Sequence, residues 1–108
     1  MRITDLLGEA TEYDKKQAVE HKKVKSWLKS VSAFANTSGG TLIFGVTNDE
    51  EIVGLENLKS DSEFISQKIK ERISPFPEVV MQLQKTEEGK ELLILHIPAG
   101  TETPYYYT

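Results

Sequence analysis

Apolar residues Val24, Trp27, Leu28, Val31, Phe34 and Ala35 recur at steps of three and four, and the polar stretch Asn36-Thr37-Ser38-Gly39-Gly40 then separates them from the apolar run TLIFGV. Steps of three and four draw one stripe down a helix, so this segment is read as a helix with one buried face. Asn and Gly accept the left-handed backbone that closes helices, which places the helix end between Asn36 and Gly40. TLIFGVTN (41–48) is rich in β-branched and aromatic side chains and reads as a buried strand. A phosphate-cradling loop puts its glycines ahead of a helix, where free N–H groups and the positive dipole end face the anion. Here the glycines follow the helix, and no Gly-Lys-Ser/Thr ending accompanies them. The break is therefore read as a helix-to-strand turn.

The remaining chain alternates in the same manner. IVGL (52–55) reads as the partner of the first strand, joined to it by the short connection Asn48-Asp49-Glu50-Glu51. Ser60 and Glu63 have the spacing of a capping box, and a second helix is expected to run to about Ile73, burying Phe64, Ile65, Ile69 and Ile73. SPFP (74–77) stops it, since proline cannot continue a helix and restricts its predecessor. VVMQLQ (79–84), a turn at Glu87-Glu88-Gly89-Lys90 and ELLILHIP (91–98) form a second hairpin. The expected class is α+β: a mixed or antiparallel sheet of two hairpins, with helices packed mainly on one face. A chain of 108 residues suits one domain over 1–108. The three tyrosines of TETPYYYT are an odd place for a domain to finish, and the expectation is an N-terminal piece of a longer protein.

Composition narrows the function classes. No cysteine is present, which excludes a disulfide framework and thiolate chemistry. No apolar run approaches the ~20 residues of a membrane span, and MRITDLLGEA lacks the pattern of a signal peptide, so a cytoplasmic protein with no membrane partner is expected. The net charge of −4 excludes a surface basic all over, so any contact with a polyanion is local. Six of the thirteen basic residues, Lys15, Lys16, Lys22, Lys23, Lys25 and Lys29, fall between positions 15 and 29, where Glu20 is the only acid. Such asymmetry points to an anionic partner; the plain alternative is a solvated helix face. Trp27, on the apolar stripe, is read as core and not as an exposed platform for bases. His21 and His96 have no ligand spacing around them, so no metal site is assigned to them, and His96 within an apolar strand reads as a core or sheet-face residue. Acids from separate segments, here Glu9, Asp14 and the turn Asp49-Glu50-Glu51, can converge on Mg²⁺ or Mn²⁺ for phosphodiester cleavage, although surface acids at such places are commonplace.

The stretch SVSAFANTSGGTLIFGVTNDEEIVGL resembles the signature of the Schlafen-type AlbA-like domain: a helix ending Ala-Phe-Ala-Asn, a Gly-Gly break, a strand ending Gly-Val, an acidic turn, then Val-Gly-Leu. PYYY near the end is similar too, as is the helix with Ile69 and Ile73 leading into Pro75, so the likeness spans about residues 5–107. It implies an α+β domain, usually N-terminal in bacterial transcriptional regulators and RecG-related helicase-like proteins and associated with DNA binding, ahead of a winged-helix or ATPase-like region. Some members cleave tRNA and rRNA with two acids five residues apart and a third just after the Gly-Val strand. Glu9 and Asp14, with Lys16 two further on, fit the first part of that pattern, and Glu20-His21-Lys22 is a weaker second match. The third position departs: Thr47 and Asn48 stand there and a carboxylate comes only at Asp49, a shift that re-aims the side chain. The leading expectation is a DNA-binding module, without catalytic residues, cofactor or metal, in which Lys16, Lys22, Lys23, Lys25 and Lys29 contact phosphates. The alternatives are a Mg²⁺- or Mn²⁺-dependent endoribonuclease using Glu9, Asp14 and Asp49, and an interaction module that homodimerises through PYYYT and the last strand.

Overall fold

In the computed structural model, residues 12–108 are described. The first helix, α1 (Lys25–Asn36), forms where the stripe predicts it and buries Trp27, Leu28, Val31 and Ala35. The chain then turns directly into a strand, β2 (Gly39–Phe44). Gly39 has φ +89°, and a Cβ there would stand 2.8 Å from the Ile97 carbonyl oxygen; at Gly40 it would stand 2.4 Å from the Phe34 ring. The two glycines thus let the end of α1 lie against the sheet with no side chain between. That is the turn expected of them.

Before α1 comes β1 (Tyr13–Lys16); after β2 come α2 (Leu58–Arg72), β3 (Ile73–Ser74), β4 (Val80–Lys85), β5 (Glu91–Pro98) and β6 (Tyr106–Tyr107). The main sheet has the order β1-β2-β5-β4, and β3 pairs with β6 beside it. β2 is parallel to β1, from Tyr13↔Thr41 to Lys16↔Phe44, and antiparallel to β5, from Gly39↔Pro98 to Phe44↔Leu93. The unit β1-α1-β2 is therefore a parallel pair joined across a helix. The second expected hairpin is present as β4–β5, from Val80↔His96 to Lys85↔Glu91. The first is reduced to one antiparallel bridge, Val46↔Ile52. Gly45 and Gly54 both take positive φ, and the Gly45 carbonyl accepts the N–H groups of Val53 and Gly54, so the chain coils there and does not extend. The cap of α2 also lies upstream of the expected box: the Asn57 side-chain oxygen accepts from the Ser60 amide at 3.2 Å.

Both helices cover the same face of the sheet. Trp27, Leu28 and Val31 of α1 and Ile65 and Ile69 of α2 pack with Leu42, Phe44, Leu93, Leu95 and Ile97 of the strands. On the other face Ile43, Val46, Leu92 and Ile94 form a smaller buried group with Tyr13 and Ile52 against it. This is the α+β class with a mixed sheet and helices on one side that the pattern implied. The terminal aromatic cluster is largely folded in: Tyr105 is buried, Tyr107 lies half-buried with the Arg72 guanidinium 5.0 Å from its ring centre, and Tyr106 is 61% exposed. No helix among the described residues is long and apolar enough to cross a membrane.

Candidate functional site

Parallel strands joined across a helix leave a crevice at their carboxyl ends, where the chain departs from the sheet. β1 and β2 have such a crevice, a concavity of about 510 Å³. Lys15 and Lys16 reach it from the end of β1, Lys23 from just before α1, Ser26 from its first turn, and Asn48 from just beyond β2; Glu20 is the acid in its lining. The start of α1 has no side-chain cap and no acidic residue in its first turn; the amides of Ser26 and Trp27 donate to the Lys23 and Val24 carbonyls, so what the helix end offers the nearby lysines is its positive dipole end.

Several of these charges have partners. Lys16 Nζ lies 3.5 Å from Asp14 Oδ2, and Lys15 Nζ donates to the Asn48 carbonyl at 3.1 Å and stands 4.0 Å from Glu50. Asp14 also accepts from Ser30 Oγ at 3.0 Å and from the Lys15 amide at 2.9 Å, which ties β1 to α1. Tyr13 donates its hydroxyl to Glu50 at 2.6 Å; that bond holds the phenol above its ordinary pKa, with slight burial and the nearby negative charge adding to it. Among the described residues no carboxylate comes within 4.0 Å of Lys22, Lys23, Lys25 or Lys29. Of the five lysines expected to meet phosphate, Lys16 and Lys23 are brought together, with Lys15 as an unforeseen third. Lys22, Lys25 and Lys29 are exposed but lie outside the lining.

The other singled-out residues fall as follows. Trp27 is fully buried as expected, donating Nε1–H to the Glu20 carbonyl at 3.0 Å. His96 is half-buried on β5, with Nε2 2.9 Å from Gln82 Oε1 and Nδ1 3.5 Å from Thr41 Oγ1, a sheet-face position. His21 lies against α2, stacked on Phe64 and 2.9 Å from Asp61. Glu9 is outside the described residues. Asp49 is exposed in the turn after β2.

A family model described as Schlafen, AlbA_2 matches residues 9–108. The chain belongs to this family. The AlbA_2 signature has a structural reason here, because its two ends meet: Asn36 donates through Nδ2 to the Tyr105 carbonyl at 2.9 Å, and the Tyr105 amide donates to Asn36 Oδ1 at 2.6 Å. Ala-Phe-Ala-Asn and PYYY are thus halves of one joint. Two solved structures share the AlbA_2 fold. The N-terminal domain of a RecG-related protein from Nitrosomonas europaea superposes with a TM-score of 0.70 at 23% identity, over 97% of this chain and 75% of that one. A Corynebacterium diphtheriae protein gives 0.60 at 23% identity, over 91% of this chain and 19% of its own length.

Of the three acids in the nuclease alternative, only Asp14 and Asp49 fall within the described residues. A hydroxyl, an amide and an ammonium group already engage the oxygens of Asp14. Among the described residues no three His, Asp or Glu side chains gather where they could hold an ion.

Proposed function

We propose that this AlbA_2 domain binds nucleic acid, DNA in the first instance, by taking backbone phosphates into the concavity at the carboxyl ends of β1 and β2. The observation that carries this reading is the convergence of Lys15, Lys16 and Lys23 on the uncapped start of α1, within a chain whose net charge is −4. Phosphate is an anion that lysines grouped beside a helix start can take, through their charge and the positive end of the helix dipole. Lys22, Lys25 and Lys29 extend the positive strip beyond the concavity and meet neighbouring phosphates. The RecG-related name of the Nitrosomonas protein, an ATP-dependent DNA helicase relative, supports a place in a cytoplasmic helicase-related protein or transcriptional regulator.

Fluorescence anisotropy with labelled oligonucleotides across a range of salt tests this. Binding at low salt is expected to weaken steeply as salt rises, and Lys23→Ala to reduce the log–log slope by roughly 0.7 to 0.9, the share of one phosphate contact. Lys85→Ala, on the strand at the far edge of the sheet, leaves the slope unchanged. Absence of binding at low salt overturns the proposal. Incubation of tRNA with Mn²⁺ separates it from the nuclease alternative, which requires fragments that disappear in a Glu9→Ala, Asp14→Ala double substitution. A homodimer through the exposed Tyr106 is a separate proposal that light scattering at high protein concentration decides.

A further inference from the structure

Resting on the nucleic-acid reading above, we propose that His21 is a base-stacking platform and that the ligand of this domain is single-stranded nucleic acid. His21 lies in the β1–α1 loop between Glu20 and Lys23, both of which line the concavity. Its ring stacks on Phe64 of α2 with centroids 3.9 Å apart and planes within 10°. Nε2 is held 2.9 Å from Asp61 Oδ1, three residues earlier on the same helix. Phe64 is itself fixed from below by Trp27, whose ring lies 6.4 Å away. One face of the imidazole is covered and one nitrogen is held, yet the side chain remains 46% exposed. Among the described residues no second ring stacks on the imidazole, which leaves the face away from Phe64 without an aromatic partner.

A flat ring held by a second ring beneath it accepts a nucleobase as the next member of the stack, whatever the base, because every base has a π-face. Lys23 lies two Cα–Cα steps from His21, at most about 7.6 Å. A base on His21 therefore leaves its own phosphate, or the next one, within reach of the concavity and of Lys22 alongside. Bases in a duplex are stacked on both faces by their neighbours, and only an unpaired base can exchange one of those neighbours for His21.

The experiment compares one mixed-sequence oligonucleotide in four forms: single-stranded DNA, single-stranded RNA, the DNA duplex, and a single strand with abasic sites. Both single strands are expected to bind more tightly than the duplex, with DNA and RNA alike because stacking ignores the sugar. His21→Ala is expected to weaken single-strand binding by roughly five- to 150-fold. Its effect on the duplex and on the abasic strand is expected to be negligible. His21→Phe, which keeps the ring and the contact with Phe64, restores single-strand affinity. Equal loss on all four ligands, no loss with His21→Ala, no rescue by Phe, or a duplex bound as tightly as the single strands each overturns the proposal. The abasic strand tests it on the unaltered protein, so a variant that folds poorly does not obscure the result. Binding that depends on Lys23 but not on His21 removes this inference alone, whereas no binding to any ligand removes the phosphate site with it.

Discussion

Asn36 joins two stretches 69 residues apart through both ends of one amide. An amide is the side chain that can donate to the Tyr105 carbonyl and accept from the Tyr105 N–H at once. Asn36→Ala leaves both backbone groups without their partner, and the expected cost is about 1–3 kcal/mol, read as a lower denaturation midpoint at constant slope. Asn36→Asp keeps the acceptor but turns a carboxylate oxygen toward the carbonyl, so it is expected to recover little of that loss. An Asp variant as stable as the native chain would show that the joint contributes through its shape alone. In the sequence, Asn36 is legible as a helix stop and no more, because the reason for an amide there lies at the other end of the chain. His21 is less legible still: its partners Asp61 and Phe64 sit on another helix, and no local pattern sets a loop histidine against them.

Among the elements, α1, β2, α2 and the β4–β5 hairpin could be read from periodicity, since each buries one face or both against a single core. β1 could not. Its residues Tyr13-Asp14-Lys15-Lys16 are all half-buried and show no apolar alternation, because the strand lies at the sheet edge and its polar side chains find partners in Glu50, Ser30, Asn48 and Asp14. Missing β1 also hides the concavity, which exists only once β1 lies parallel to β2 with α1 crossing between them. Lysine density in the sequence therefore marks the segment from 15 to 29 but not which of its lysines line the concavity. The β1-α1-β2 unit depends on how closely α1 closes onto β2, and a test falls at Gly40. Gly40→Ala forces its methyl into the Phe34 ring, a contact of 2.4 Å, and is expected to destabilise by about 1–3 kcal/mol through overpacking. Phe34→Ala removes the obstacle, so the double variant is expected to be more stable than the sum of the two single losses. Strict additivity in that cycle would mean the ring is not what holds Gly40 small.

On the scale of the whole molecule, the net charge is −4 while six of the thirteen basic residues fall within fifteen positions, so an approaching polyanion meets an uneven field. The acidic β4–β5 turn, with Glu87 and Glu88 exposed, lies at the same end of the sheet as the concavity, because Lys16 aligns with Phe44, Phe44 with Leu93, and β5 continues from there back to Glu91. Three strand spacings separate β1 from β4, about 14 Å. That is beyond the screening length of ~8 Å at physiological salt and well inside the ~30 Å that applies at 0.01 M. The turn therefore acts on an approaching polyanion through its field and not by contact. Glu87→Lys with Glu88→Lys is expected to raise the association rate of an oligonucleotide severalfold at ~0.01 M salt and to leave it nearly unchanged at ~0.15 M. If the proposed contacts of Lys15, Lys16, Lys23 and the stacked base hold the ligand, the two substitutions leave the dissociation rate at each salt as it is in the native chain. Stopped-flow anisotropy measures the two rates separately. A dissociation rate that slows in the variant would mean that the ligand reaches across the sheet end to β4, and the binding surface would then have to be redrawn around all four strands.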